Sequence, residues 1–161
     1  FSGGEVDVSG LELSSSMVFT GQNGTSYPVA VTYTSTDAIF ENSFSNGDYW
    51  GTVAAGDDIP YIPSSVLAIS AGFVTEDGWK GYIRVADHGS ACSTAACDKY
   101  QTIDPYSYID LTLRKSISAN LDVYGALENA VDKKDIAARA PEDGARSQKP
   151  RTFKLGFSYK F

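Results

Sequence analysis

Hydrophobic and polar side chains trade places at every second residue along much of this chain, most cleanly at its carboxyl end. In Arg151–Phe161 (RTFKLGFSYKF), Phe153, Leu155, Phe157, Tyr159 and Phe161 alternate with Thr152, Lys154, Gly156, Ser158 and Lys160. Successive side chains of a strand point to opposite faces, so the segment predicts a strand with one apolar, mostly aromatic face and one polar face. Six earlier segments carry similar patterns. Glu5–Thr20 alternates through Val6 and Val8, then Leu11 and Leu13, with Gly10 shifting the phase, which predicts a bulge or kink. Tyr27–Phe40 places Val29, Val31 and Tyr33 on one face. Val66–Thr75 alternates less cleanly and leads into the hairpin signal Glu76-Asp77-Gly78. Trp79–Ala86 sets Trp79, Gly81, Ile83 and Val85 against Lys80, Tyr82 and Arg84. Tyr108–Lys115 sets Ile109, Leu111 and Leu113 against Asp110, Thr112 and Arg114. Ala119–Glu128 sets Leu121, Val123, Gly125 and Leu127 against Asn120, Asp122, Tyr124 and Glu128.

The predicted fold is all-β, an antiparallel meander of about seven strands. Three of its connections are short. The other three, Glu41–Ser64, Asp87–Pro105 and Ala130–Pro150, run to roughly twenty residues each, longer than compact soluble domains usually carry without secondary structure. Short turns alternating with long loops are the rule in outer-membrane barrels, whose strands look only mildly hydrophobic because one face meets lipid and the other the lumen. With a periplasmic carboxyl terminus, all three long loops fall outside the cell and every short turn faces the periplasm. Seven strands do not close such a barrel: bacterial barrels use even counts, and an open edge in lipid leaves amides without partners. Residues 1–161 therefore read as the carboxyl-terminal segment of a larger transmembrane barrel, with its partner strands upstream of Phe1. A closing strand in a soluble β-sandwich is the alternative, and it requires the apolar faces of the Ile109/Leu111/Leu113 and Leu121/Val123/Leu127 strands to be buried under a second sheet.

Composition narrows this further. A net charge of −7 argues against nucleic-acid binding, which needs a basic patch. No apolar run reaches the length of a membrane-crossing helix. The chain opens on FSGGEVDVSG without a basic, apolar leader; either processing removed one or the chain is a piece of a longer protein, and the strand count favours the second. Cys92 and Cys97 (CSTAAC) share one predicted outer loop. An oxidising route to that loop predicts a disulfide that staples it, while a metal pair lacks further Cys or His ligands. Arg84, Asp110, Arg114, Asp122 and Glu128, with Lys154 and Lys160, are expected to face the lumen, pairing with one another or guiding an anionic solute. Tyr49, Trp50, Arg139 and Arg146 are loop candidates for ligand contact, since such side chains anchor binding surfaces. No nucleophile–base spacing, phosphate loop or metal-ligand cluster is present, so neither an enzyme nor a cofactor is expected, and His88 reads as an exposed, inert loop residue.

Leu121–Lys134 (LDVYGALENAVDKK), followed by a loop and then Arg151-Thr152-Phe153-Lys154-Leu155-Gly156, resembles the end of TonB-dependent outer-membrane receptors. Gly10-Leu11-Glu12-Leu13 is similar to a recurring strand of that family, and Tyr61-Ile62-Pro63 to its lead-in to a later strand. Ala130-Val131, Asp135 and Pro150 depart from the family pattern. The resemblance implies a barrel of about 22 strands filled by a plug, outer loops that capture a ferric siderophore, ferric citrate or a similar scarce chelate, and energy delivered through TonB to a box ahead of the plug. It implies that Gly156, Phe157, Tyr159 and Phe161 form the carboxyl-terminal signal read by the barrel-assembly machinery by strand addition. The partners are then outer-membrane lipid, the remaining strands and plug of the parent chain, TonB and the ferric chelate, in a Gram-negative outer membrane. A passive porin or barrel-embedded adhesin shares the closing strand and the loop asymmetry, and lacks the plug and box.

Overall fold

A computed structural model describes residues 4–46, 51–97, 99–140 and 144–161. It holds thirteen strands: β1 (Val6–Thr20), β2 (Ser26–Phe40), β3 (Phe44–Asn46), β4 (Gly51–Val53), β5 (Ser65–Val74), β6 (Trp79–His88), β7 (Ala91–Cys92), β8 (Thr102–Ile103), β9 (Tyr106–Ser116), β10 (Leu121–Glu128), β11 (Ile136–Ala140), β12 (Gly144–Ser147) and β13 (Thr152–Tyr159). Seven form one antiparallel sheet in the order β1-β2-β5-β6-β9-β10-β13, which is the predicted meander. The remaining six form three two-stranded hairpins, β3–β4, β7–β8 and β11–β12, one inside each long connection. The long loops are thus not structureless as expected. Their short strands escape the alternation test because two to five residues hold too little of a period to read.

The register explains the alternation. Met17, Val29, Ala71, Ile83, Leu111, Leu127 and Phe153 stand opposite one another in sequence across all seven strands, so they form one apolar row on one face. Val123 opposite Phe157, and Gly125 opposite Leu155, extend the same face. No second sheet covers it among the described residues. Leu155 and Phe157 are 73% and 74% exposed, and Leu113 and Val123 are exposed as well. The β-sandwich alternative finds no second sheet among the described residues: Leu111, Leu113 and Val123 are exposed, and Ile109, Leu121 and Leu127 are only partly buried.

Two local readings change. Gly10 makes no bulge: β1 pairs with β2 without a register break from Val6 opposite Phe40 to Thr20 opposite Ser26. Val6 and Val8 share a face with Ala38 and Phe40, opposite to that of Leu11 and Leu13. The phase change marks where the strand leaves the apolar band and enters the region under the long connections. Glycine stands at position 10 because a Cβ there would lie 2.3 Å from the Ser35 carbonyl oxygen. The second change concerns β10, which starts at Leu121 rather than Ala119. The Ser118 hydroxyl accepts the N–H groups of Asn120 and Leu121 and holds them in the turn.

Most of the buried side chains belong to the long connections, and those in the sheet, Ala38 and Phe40 of β2 and Ala86 of β6, lie toward the strand ends from which those connections leave. Phe40, Val53 and Ala95 pack together with Phe44 and Ile59 against them, and the Phe40 and Phe44 rings meet edge to face at 5.2 Å. A one-layer sheet has no interior of its own, so the only packed core available is where loops fold back on strand ends.

Candidate functional site

The three long connections emerge at the same end of the sheet and are tied to each other. Tyr61, after β4, takes φ of +63°, a region a bulky residue enters only when its surroundings hold it there. Its N–H donates to the Cys92 carbonyl at 2.7 Å, and its hydroxyl donates to the Arg139 carbonyl. Arg139 in turn donates from Nε to the Thr102 carbonyl at 2.8 Å, and Thr102 is the cross-strand partner of Cys92. The Ser64 N–H reaches the Ser90 carbonyl at 2.9 Å. One residue of each connection therefore closes a circuit through the other two.

The β7–β8 hairpin is the middle of that circuit, and it is stapled. Cys92 and Cys97 form a disulfide with Cα atoms 5.2 Å apart. Inside the ring, the Ser93 hydroxyl donates to the Gln101 carbonyl at 2.9 Å and the Thr94 hydroxyl to Gln101 Oε1 at 2.6 Å, with Ser93, Thr94 and Ala95 buried. Asp58 Oδ2 lies 3.1 Å from the Cys92 sulfur. Donor atoms of Asp58, Cys92 and Cys97 fall within 4.8 Å of one another, but the disulfide consumes both thiolates, so the trio cannot act as a metal site.

The third connection is rooted by the stretch Glu128–Lys133. Asn129 and Asp132 take φ of +47° and +53°, which Asn and Asp tolerate better than most residues. Buried Asn129 donates from Nδ2 to the Lys133 and Lys149 carbonyls and accepts the Lys133 N–H. Asp132 accepts the Arg151 N–H at 3.1 Å and faces the Arg151 guanidinium at 4.0 Å. Both ends of the loop are thereby gathered onto two side chains, which accounts physically for an Asn, an Asp and an Arg at those spacings.

Arg84, Asp110, Arg114, Asp122 and Glu128 share the face of the sheet opposite to the apolar row. Arg114 pairs with Asp122, which also accepts the Ser116 hydroxyl at 2.6 Å. Glu128 pairs with both Lys149 and Lys154. Arg84 stands directly opposite Asp110, whose carboxylate accepts the Asn129 N–H at 2.9 Å. Most of these ions already have partners within the wall. His88 is neither in a loop nor exposed, contrary to expectation. It ends β6, is half-buried, and stacks on Tyr106 at 4.7 Å and on Tyr108 at 6.0 Å.

The candidate loop contacts separate. Tyr49 and Trp50 lie outside the described residues. Arg139 is engaged in the inter-loop circuit, and Arg146 lies exposed on β12. Phe157 and Tyr159 project from the bare apolar face, and Phe161 follows the end of β13, its ring edge-to-face with Tyr159 at 5.2 Å. Gly156 faces the other way, beneath the Tyr124 ring. Thr102 and Gln148 matter to the assembly and went unnoticed in the sequence, where Tyr61 stood out as part of a strand lead-in and not as a tie between loops. The local signal at Tyr61 is its place between Pro60 and Pro63.

No family model matches the chain, and no curated protein matches its sequence. Its fold is nonetheless that of known structures. The siderophore receptor PiuA from Acinetobacter baumannii aligns with TM-score 0.75 at 15% identity, over 98% of this chain and 22% of the receptor. The ferric yersiniabactin uptake receptor FyuA from Yersinia pestis aligns with TM-score 0.75 at 15% identity, over 97% and 24%. The ferric-catecholate import receptor Fiu from Escherichia coli K12 aligns with TM-score 0.63 at 16% identity, over 97% and 25%. The chain thus spans about a quarter of the length of the solved receptors it matches, and its seven-stranded sheet has the fold of a segment of them. These neighbours are receptors, not enzymes.

Proposed function

We propose that this chain is the carboxyl-terminal segment of a TonB-dependent outer-membrane receptor that takes up a ferric siderophore or a similar scarce chelate. The observation that carries the reading is the pairing of a bare apolar face with a charged, internally paired opposite face, on a sheet that aligns along nearly its whole length with siderophore uptake receptors. A face this apolar and this exposed is stable against lipid and unstable against water. In this reading β13 is the closing strand. Its Phe157, Tyr159 and Phe161, with Gly156, are the signal for the barrel-assembly machinery. The three tied loops lie outside the cell, and Tyr49, Trp50 and Arg146 contact the chelate there. The remaining strands, the plug and the TonB contact belong to the rest of the parent chain.

The test is uptake. Cells lacking the parent gene, grown under iron restriction, are offered a panel of radiolabelled ferric chelates. The reading expects uptake of at least one chelate to be lost, and to be lost equally in cells lacking TonB. Uptake of every chelate unchanged in the gene deletion, or a membrane-extracted protein that stays monodisperse after detergent is removed, would sink it.

A further inference from the structure

The apolar face of the sheet is not uniform. Phe73, Gly81, Leu113, Gly125 and Leu155 pair strand to strand in one row across it. Its two glycines differ. The Phe73 ring lies over Gly81, where a Cβ would come within 2.3 Å of it. No such ring covers Gly125 among the described residues: a Cβ there would meet Leu155 Cδ2 at 3.4 Å, an ordinary contact. Gly125 is the floor of a groove of about 660 Å³, with Leu113, Val123, Leu127 and Leu155 around it. That volume falls in the size range of ligand sites.

The groove reaches Lys115, the one lysine or arginine that the described residues of the seven sheet strands set on this face. Lys115 stands opposite Trp79 on β6 and Val123 on β10. Its Nζ lies 5.0 Å from the centre of the Trp79 ring and 3.2 Å from Asp77 Oδ2 in the β5–β6 turn. The Asp77 side chain is 67% exposed, so its carboxylate is open to a further partner. An apolar groove thus ends at an accessible pair of opposite charges.

Apolarity alone selects no lipid, because acyl chains are as apolar as the leucines they touch. Shape and charge select. A chain lying in the groove meets side chains on both flanks, where a flat wall offers contact on one side only. Charge then chooses the head group. A purely anionic one would reach Lys115 but set its charge beside the Asp77 carboxylate. A zwitterionic one meets both, phosphate on Lys115 and amine on Asp77. A primary ammonium donates N–H bonds to a carboxylate. A quaternary ammonium has no N–H, and the indole face that would attract it already holds Lys115. We propose that the Gly125 groove, with Lys115 and Asp77 at its end, binds one phospholipid whose head group joins a phosphate to a primary amine, as in phosphatidylethanolamine. The proposal rests on the receptor reading, in which this face meets lipid and the short turns lie on the periplasmic side.

The test uses the full-length parent protein in lipid nanodiscs. These hold phosphatidylethanolamine, phosphatidylglycerol and phosphatidylcholine in equal parts, with identical acyl chains. A photo-crosslinking benzoylphenylalanine replaces Ile117, which is exposed and lines the groove, or Val31, which is exposed elsewhere on the same face. Mass spectrometry identifies the lipid attached. At Ile117, phosphatidylethanolamine is expected to exceed each of the other two about fivefold, as roughly one net hydrogen bond requires. At Val31 the three should be taken evenly. Lys115→Gln, Asp77→Asn and Gly125→Leu, which fills the groove, should each bring Ile117 close to the even mixture, and Lys115→Arg should keep the preference. An even mixture at Ile117 in the unsubstituted protein, a preference for either other lipid, or a preference indifferent to Lys115→Gln and Asp77→Asn would overturn the proposal. Absence of any lipid crosslink at Val31 would overturn the receptor reading, and the proposal with it.

Discussion

Single side chains decide where this sheet turns and where its loops return. Asn129→Ala removes three hydrogen bonds, strands two carbonyls under the third loop, and puts alanine at a φ of +47°. A loss of about 2–4 kcal/mol is expected in urea unfolding of the detergent-refolded parent protein; a loss below about 0.5 kcal/mol would mean the root of the loop is held by other groups. Gly10→Ala is expected to cost about 1–3 kcal/mol in the same assay, because the added methyl meets backbone, the Ser35 carbonyl, which cannot swing aside. Gly156→Ala meets the Tyr124 ring first, a side chain that can rotate, so it should cost less than Gly10→Ala. The reverse order would contradict the packing described. In the β5–β6 turn, the Thr75 hydroxyl and then Lys115 hold the Asp77 carboxyl below the ordinary aspartate range. A depressed carboxyl adds stability above its unfolded pKa of about 3.9, and that stability drains away as pH falls through the folded value. Asp77→Asn should therefore weaken the turn at neutral pH and differ little from wild type below both values, as read by amide exchange at Gly78, whose N–H bonds the Thr75 carbonyl.

At the scale of elements, the contrast is between strands that announce themselves and loops that do not. The seven sheet strands were legible because alternation is a local property, and the register in the structure places Val29, Val31, Ile83, Leu111, Val123 and Leu155 on one face, as the period required. The Cys92–Cys97 staple was legible from spacing and compartment. The loop hairpins and the Tyr61–Arg139–Thr102 circuit were not, since their contacts join residues 37 and 78 positions apart and no short-range pattern encodes such a pairing. Nor did Gln148 stand out, because burial of a loop glutamine is decided by what folds over it. The circuit predicts that the three long loops loosen together. Replacing both cysteines with serine releases a small ring whose closure is worth roughly 2 kcal/mol. The Tyr61 and Ser64 amides, which bond the Cys92 and Ser90 carbonyls, should then exchange about thirtyfold faster, with sheet amides such as Leu113 unchanged. Acceleration confined to residues 92–97 would show the loops to be independent.

The described residues form a sheet with two open edges, β1 and β13, which lipid does not tolerate, and a bare apolar face, which water does not. In the proposed receptor reading, further strands of the parent chain pair both edges and lipid covers the face. The receptor reading requires such a parent polypeptide, and the most direct measurement is to read the DNA immediately upstream of the Phe1 codon. A receptor requires an open frame there encoding a secretion signal, a plug about the size of one ordinary domain, and additional alternating strands. A stop codon, or a start codon and signal immediately before Phe1, would contradict the receptor reading.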